Sequence, residues 1–291
     1  MNMKRNDKKV KEVANSNESL FVATPVHSQV SLHYMKSCLD LQKDCLFNNL
    51  NITFQLMQSS LVTQGRNLCV SAFLESDAKQ MCFIDADICF NTRSIYRMYE
   101  SPHEVTVVPY PMKTLNRTKF DVDYKKRQED NVESMGLIFP VELENPDSFT
   151  LKEGFMKIKR GPAGCMMIKR SAFEKMKKAY PELSITQHTI INGKMATRPN
   201  YYNFFDSYHD PETKTYTGED FYFCKLWTKL GGEIYALVDE PIQHMGEYPY
   251  QGKLLQEFHR IGNEDKDKKT PPKEVKPPLK SIKGKSPIKI R

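Results

Sequence analysis

The chain has 291 residues, 39% of them hydrophobic and 11% aromatic, enough for the core of one large domain or two small ones. The net charge of +7 is uneven: residues 263–291 hold ten Lys or Arg against four Asp or Glu, so the body is close to neutral. The surplus therefore does not mark a nucleic-acid-binding domain. No apolar run approaches the ~18 residues of a membrane span, and the charged opening "MNMKRNDKKVKEVANSNES" lacks the apolar region of a signal peptide.

Seven cysteines are scattered without a CxxC pair, which points to free thiols in a reducing compartment. The sequons at Asn51 and Asn116 then read as chance matches, and a cytoplasmic, non-secreted protein is expected. The Lys- and Pro-rich tail, residues 261–291, cannot build a core and reads as a disordered extension; contact with nucleic acid or an anionic membrane surface is the alternative use of its charge.

Along the chain, residues 1–18 read as a disordered lead and 19–260 as one domain. "SLFVATP" is a short buried strand stopped by Pro25, and Val30, Tyr34, Cys38, Leu41 and Cys45 then recur at helical spacing. "NITFQLMQ" gives a second strand, "GRNLCVSAFLES" a helix, and "QMCFIDAD" a third strand. A helix over Thr92 to Glu100 and a strand at "EVTVVPYP" follow. The alternation predicts an α/β fold with a central, mostly parallel sheet flanked by helices. Residues 113–147 are polar and read as a long excursion. From Phe155 to Tyr180 the pattern is strand, Gly-Pro turn, strand and helix; residues 181–215 are irregular and rich in tyrosine. "TGEDFYFCKLWTKLGGEIYALVDEPIQHMG" closes the domain with a helix capped by Thr217 or Gly218, whose apolar face is Phe221, Cys224, Trp227 and Leu230, then a strand and a turn.

Three DxD sequences occur, but only Asp85-Ala86-Asp87 ends an apolar strand. Ligands of open α/β sheets bind beyond the carboxyl ends of strands, and paired oxygen ligands there suit Mg²⁺ or Mn²⁺ bridging to phosphates. A strand-end pair making turn hydrogen bonds is the plain alternative. Glu219-Asp220 opens a helix, where acidic residues complement the helix dipole; a general base at a cleft edge is the functional reading. His244, after the last apolar strand, is either structural or positioned to reach a metal. Thr24-Pro25 either simply ends a strand or forms the first-strand loop where a nucleotide would lie, and at a helix start Arg66 is either solvated or, with Asn67, able to hold a phosphate or base.

These motifs share one order: the Thr-Pro loop, "GRNLCVSAFLESDAKQMCFIDADICF", "RGPAGCMMIKRSAFEKM", "GEDFYFCKLW" and "PIQHMGEYPYQG". The order resembles the GT-A fold of nucleotide-sugar-dependent glycosyltransferases, and is most similar to short viral and bacteriophage members, over residues 19–258. The resemblance implies a nucleotide-sugar donor, a glycan or protein hydroxyl acceptor, and Mn²⁺ or Mg²⁺ as cofactor. It implies that Asp87 and His244 ligate the metal and that Asp85 approaches the ribose or metal. Thr24, Pro25, Arg66 and Asn67 would lie beside the nucleotide and Gly164 near the sugar. Asp220 or Glu219 would supply the base of an inverting reaction. Tyr201, Tyr202 and Trp227 are candidate sugar-stacking faces. A metal-dependent phosphatase fits less well, because its nucleophilic Asp belongs on the first strand. A nucleotidyltransferase would prefer a Gly-rich loop that "VATPVHS" does not offer. A catalytically silent glycan- or nucleotide-binding module is the non-enzymatic alternative.

Overall fold

The computed structural model describes residues 19–118, 136–145, 150–191, 194–198, 200–209, 211 and 214–258. The expected lead (1–18), the tail (261–291) and much of the 113–147 excursion lie outside the described residues. The chain divides into a unit of residues 1–256, which holds every element named below, and one of residues 257–291.

In chain order the elements are β1 (Ser19–Val26), α1 (Leu32–Phe47), β2 (Asn51–Gln58), α2 (Val62–Glu75), β3 (Gln80–Ile84), β4 (Ile88–Phe90), α3 (Thr92–Glu100) and β5 (Val105–Val107). Then come β6 (Glu142–Leu143), β7 (Leu151–Lys152), β8 (Phe155–Arg160), β9 (Cys165–Lys169), α4 (Arg170–Ala179) and a 3-10 turn at Pro181–Leu183. Two short hairpins follow, β10 (Gln187–Ile191) with β11 (Lys194–Arg198) and β12 (Tyr208–His209) with β13 (Tyr216–Thr217). The described elements end with α5 (Glu219–Lys229), β14 (Ile234–Leu237), β15 (Ile242–Met245) and β16 (Pro249–Gly252).

The central sheet has nine strands in the order β2-β1-β3-β9-β5-β14-β8-β6, with β7 also paired to β8. Seven strands run one way; β9 and β8 run against them. This is the expected α/β fold with a central, mostly parallel sheet flanked by helices. Alternation along the strands sorts the core into two layers. Leu20, Val22, Cys82, Ile84 and Met167 face one side and pack with Tyr34, Cys38 and Leu41 of α1 and Ile95 and Met98 of α3. Phe21 and Phe83 face the other, where Phe73 of α2, Phe173 of α4 and Phe223 of α5 form an aromatic layer.

Local chemistry explains several element ends. Ser31 caps α1 by accepting the Tyr34 amide at 3.0 Å, and Asn91 caps α3 by accepting the Arg93 amide at 2.9 Å. The Arg170 guanidinium donates to the carbonyls of Phe73 and Ser76 at 2.8 and 2.7 Å, a cation closing the carboxyl end of α2. Gly232 is required by contact: a Cβ there would lie 2.1 Å from the Trp227 ring.

Three details differ from the sequence reading. The buried face of α5 is Phe223, Cys224, Leu226 and Trp227, whereas Leu230 is exposed. Phe205 stacks on Phe223 at 4.6 Å and 3°, so the 201–205 segment covers α5 and turns its buried face. Residues 201–205 of the tyrosine-rich stretch are therefore a core plug, with Tyr201, Phe204 and Phe205 buried. Tyr201 and Trp227 have no ring face free for a sugar, and Tyr202 stacks on Phe204. All seven cysteines are unpaired, and six are buried. Among the described residues no helix is long and apolar enough to cross a membrane.

Candidate active site at the carboxyl edge of the sheet

The turn after β3 is held by four backbone hydrogen bonds. The Asp85 amide donates to Gly164 O, Ile88 to Asp85 O, Ser31 to Ala86 O and Met245 to Asp87 O, all at 2.8–3.0 Å. The pair thus projects from a turn tied to the starts of β9 and α1 and to β15, with the carbonyls of Asp85, Ala86 and Asp87 and the Asp85 amide all paired. Antiparallel pairing of β15 with β4 sets His244 opposite Ile88, which delivers the imidazole to Asp87.

The two carboxylates have different partners. Arg66, from the first turns of α2, donates to Asp85 Oδ1 and Oδ2 at 2.9 and 3.1 Å and to Glu219 Oε1 at 3.1 Å. Its side chain is only 3% exposed and lies 5.2 Å over the Phe83 ring. Burial works against this cation, but Asp85 and Glu219 more than compensate and raise its pKa. Asp87 Oδ2 instead accepts from Lys113 Nζ at 2.5 Å, and Oδ1 lies 3.6 Å from His244 Nε2. Partial burial opposes ionisation of Asp87, yet the pull of His244 and Lys113 outweighs it and lowers the carboxyl to about 2.

His244 Nδ1 stands 2.9 Å from the Pro111 carbonyl, which only accepts, so Nδ1 carries a proton. In the neutral imidazole Nε2 then turns a lone pair toward Asp87 Oδ1. Two acceptors facing each other at 3.6 Å are relieved by a proton or a metal cation between them. The donor set of one carboxylate oxygen and one imidazole nitrogen would suit Mn²⁺ once phosphate oxygens and water add to it, and suits the oxygen-seeking Mg²⁺ less well. Among the described residues no group of three or more His, Cys, Asp or Glu converges on one point, so a cation here would draw further ligands from substrate and water.

Asp220 sits in the first turn of α5 beside Glu219, with Gly218 at the cap position. Burial, then the Glu219 charge, push its carboxyl up to about 6, while Arg66 and the Phe221 amide at 2.7 Å pull the other way. Tyr110, buried against Asp85, has its phenol raised well above the usual value, first by burial. Gly164 keeps this corner open: a Cβ there would meet Tyr110 Oη at 2.5 Å and Asp85 Oδ2 at 2.6 Å.

A cleft of roughly 790 Å³ opens at this edge, lined among others by Pro25, Ser59, Asp85, Asp87, Lys113 and Gly246. Thr24 stays fully buried, its hydroxyl 2.6 Å from Tyr34 Oη. Asn67 turns away from the cleft: its amide donates to Asn203 Oδ1 and Phe205 O at 2.9 Å and accepts the Phe205 amide at 3.0 Å. The structure therefore gathers Pro25, Asp85, Asp87 and His244 around the cleft or its rim, links Arg66, Glu219 and Gly164 to Asp85, and uses Asn67 to fasten the core plug.

No protein-family model matches the sequence, and no curated protein matches it. Among solved structures, A197 from STIV is similar at 15% identity and a TM-score of 0.42, over 79% of this chain and 86% of that one. A glycosyltransferase involved in the glycosylation of the major capsid of PBCV-1 is similar at 8% identity and a TM-score of 0.30, over 56% of this chain and 65% of that one. The 4-diphosphocytidyl-2C-methyl-D-erythritol synthase from Anaerococcus prevotii DSM 20548 is similar at 10% identity and a TM-score of 0.28, over 61% and 80%. At these identities and TM-scores the likenesses carry no argument about this chain, and the chemistry rests on its own residues.

Lys113 and Tyr110 were not singled out in the sequence. Lys113 opens the polar stretch read as an excursion, yet it is the first cation after "VTVVPYPM", at the carboxyl end of β5. A cation just past a strand end, on the edge that carries the DxD, was the available signal.

Proposed function

We propose that this protein is a metal-dependent glycosyltransferase that moves a sugar from a nucleoside diphosphate to a hydroxyl of a glycan or protein, with inversion. The observation that carries the reading is the approach of Asp87 Oδ1 and His244 Nε2 to 3.6 Å, with the imidazole tautomer set by Pro111, beside the cleft. Asp87 and His244 would hold Mn²⁺ or Mg²⁺, which when bound stabilises the charge of a leaving diphosphate.

The remaining roles follow from the chain's own groups. Pro25, Ser59 and the α1 cap line the part of the cleft that takes the nucleoside. Arg66 fixes Asp85 bidentately and ties it to Glu219, so the donor site and the first turn of α5 move as one unit. Gly164 and Tyr110 shape the corner between them, where the sugar would stand. Asp220 is the base: as the acceptor oxygen forms its bond to the anomeric carbon, the Asp220 carboxylate takes the hydroxyl proton. The bond from that carbon to the diphosphate breaks, and the diphosphate leaves with the electron pair. A carboxyl near 6 is ionised at neutral pH and still basic enough for the task.

One observation favours a second reading. Arg66 and Lys113 already neutralise the two carboxylates, which a metal-free nucleotide-binding module would also need. Calorimetry with a panel of nucleotide sugars, with and without Mn²⁺, separates the two. The transferase reading expects Mn²⁺-dependent binding followed by slow hydrolysis or transfer; metal-independent binding with no turnover would favour the module.

A further inference from the structure

Lys113 has no part in the reaction just described, although its ammonium makes a 2.5 Å contact with the proposed metal ligand. We propose that Lys113 is an exchangeable counter-ion: it holds Asp87 in the free protein and passes to the donor's diphosphate when a divalent cation takes that carboxylate. The inference rests on the reading that the cleft binds a nucleoside diphosphate together with such a cation.

Asp87 is approached from two sides, Lys113 on Oδ2 and His244 on Oδ1. A divalent cation between Oδ1 and Nε2 would stand about one carboxylate's width from the ammonium, and like charges so close repel. The two cations would share the charge of one carboxylate through different oxygens, so the metal weakens the hold of Asp87 on Lys113. The neighbouring Arg66 offers a contrast. It is 3% exposed and fixed by three hydrogen bonds, whereas Lys113 is 38% exposed and holds Asp87 through a single donor. Arg66 is built to stay and Lys113 is able to leave.

The path is also built. The aliphatic stem of Lys113 runs beside Gly246, where a Cβ would come within 3.2 Å of its Cδ. Both residues line the cleft together with Asp85 and Asp87. The backbone around the lysine is anchored: the Met112 amide donates to Ile138 O at 2.8 Å, and the Pro111 carbonyl meets His244. Only the side chain need move. An ammonium on a flexible four-carbon stem suits a phosphate that arrives with variable geometry. The consequence is cooperativity: metal frees Lys113 for the diphosphate, and the diphosphate, by drawing Lys113 away, opens Asp87 to the metal. Linkage makes the two effects equal.

The test is Mn²⁺ binding, followed by electron paramagnetic resonance and calorimetry, with Mn²⁺ alone and with UDP, GDP, CDP or ADP present. It compares wild type, Lys113→Ala and Lys113→Arg, with circular dichroism melts as a check on folding. Lys113→Ala should bind Mn²⁺ alone more tightly, by about 3- to 10-fold, and should lose most of the diphosphate's enhancement of Mn²⁺ affinity. Lys113→Arg should keep that enhancement in part. Unchanged or weaker Mn²⁺ affinity in a folded Lys113→Ala protein, or an unchanged enhancement, overturns the exchange. Wild type that binds none of the Mn²⁺–nucleotide pairs overturns instead the functional reading beneath it.

Discussion

Arg66 spans the two acidic motifs, and its removal would leave Asp85 and Glu219 without their shared cation. Breaking a buried pair costs more than the pair contributes, because the remaining charges stay desolvated. Arg66→Ala should therefore lower stability by about 3–5 kcal/mol in denaturant titration. Arg66→Lys should recover only part, since an ammonium cannot reproduce the bidentate fork. Asp220 makes the opposite prediction for stability and a separate one for activity. Its folded pKa of about 6 lies above the ordinary 3.8, so its contribution is intact below about 4 and declines as pH rises through 6. Asp220→Asn should thus raise stability above pH 7 by about 1–2 kcal/mol while abolishing transfer. In the wild type kcat should rise with pH around a midpoint near 6; a flat acid limb would remove Asp220 from the role of base. Asp87 has the reverse sign: lowered to about 2, it favours the folded state above pH 4 and loses that contribution only in strong acid.

At the scale of elements, the corner between β3, β9 and β5 is set by how closely Gly164 approaches Tyr110 and Asp85. Gly164→Ala should displace one of them, with a loss of about 1–3 kcal/mol in stability. A larger proportional loss of nucleotide affinity than of stability is expected in calorimetry; unchanged affinity would show that the corner tolerates a methyl group. What could be read from the sequence follows from locality. The α1 helix was legible because one face meets the sheet and its apolar positions recur at 3.6-residue spacing, as Tyr34, Cys38, Leu41 and Cys45 do. On α5 Cys224 and Trp227 were legible but Phe223 was not, because the 201–205 segment, fastened by Asn67 from more than a hundred residues away, covers it. Asn67 itself read as a cleft residue because it stands beside Arg66 at a helix start; successive residues on a helix point in different directions, and only Arg66 reaches Asp85. Lys113 was hidden for a related reason. Its partner Asp87 is 26 residues earlier, and only the return of β5 to the same sheet edge joins them.

Across the whole molecule, the order β2-β1-β3-β9-β5-β14 brings the carboxyl ends of β1, β3 and β5 and the start of β9 to one edge. The proposed chemistry gathers there: the Asp pair after β3, the lysine after β5, Gly164 before β9 and His244 carried in by the smaller β16-β15-β4 sheet. The strand-end position of Asp85 and Asp87 was legible in sequence; their unequal partners were not, because Arg66, Lys113 and His244 come from three other parts of the chain. The most direct test is calorimetry of nucleotide-sugar binding, with and without Mn²⁺, on wild type and on Asp87→Ala. The account predicts Mn²⁺-dependent binding and turnover in wild type, and loss of both in an Asp87→Ala protein whose circular dichroism is unchanged. Full metal-dependent activity in Asp87→Ala, or wild type that binds no nucleotide sugar at all, would contradict it.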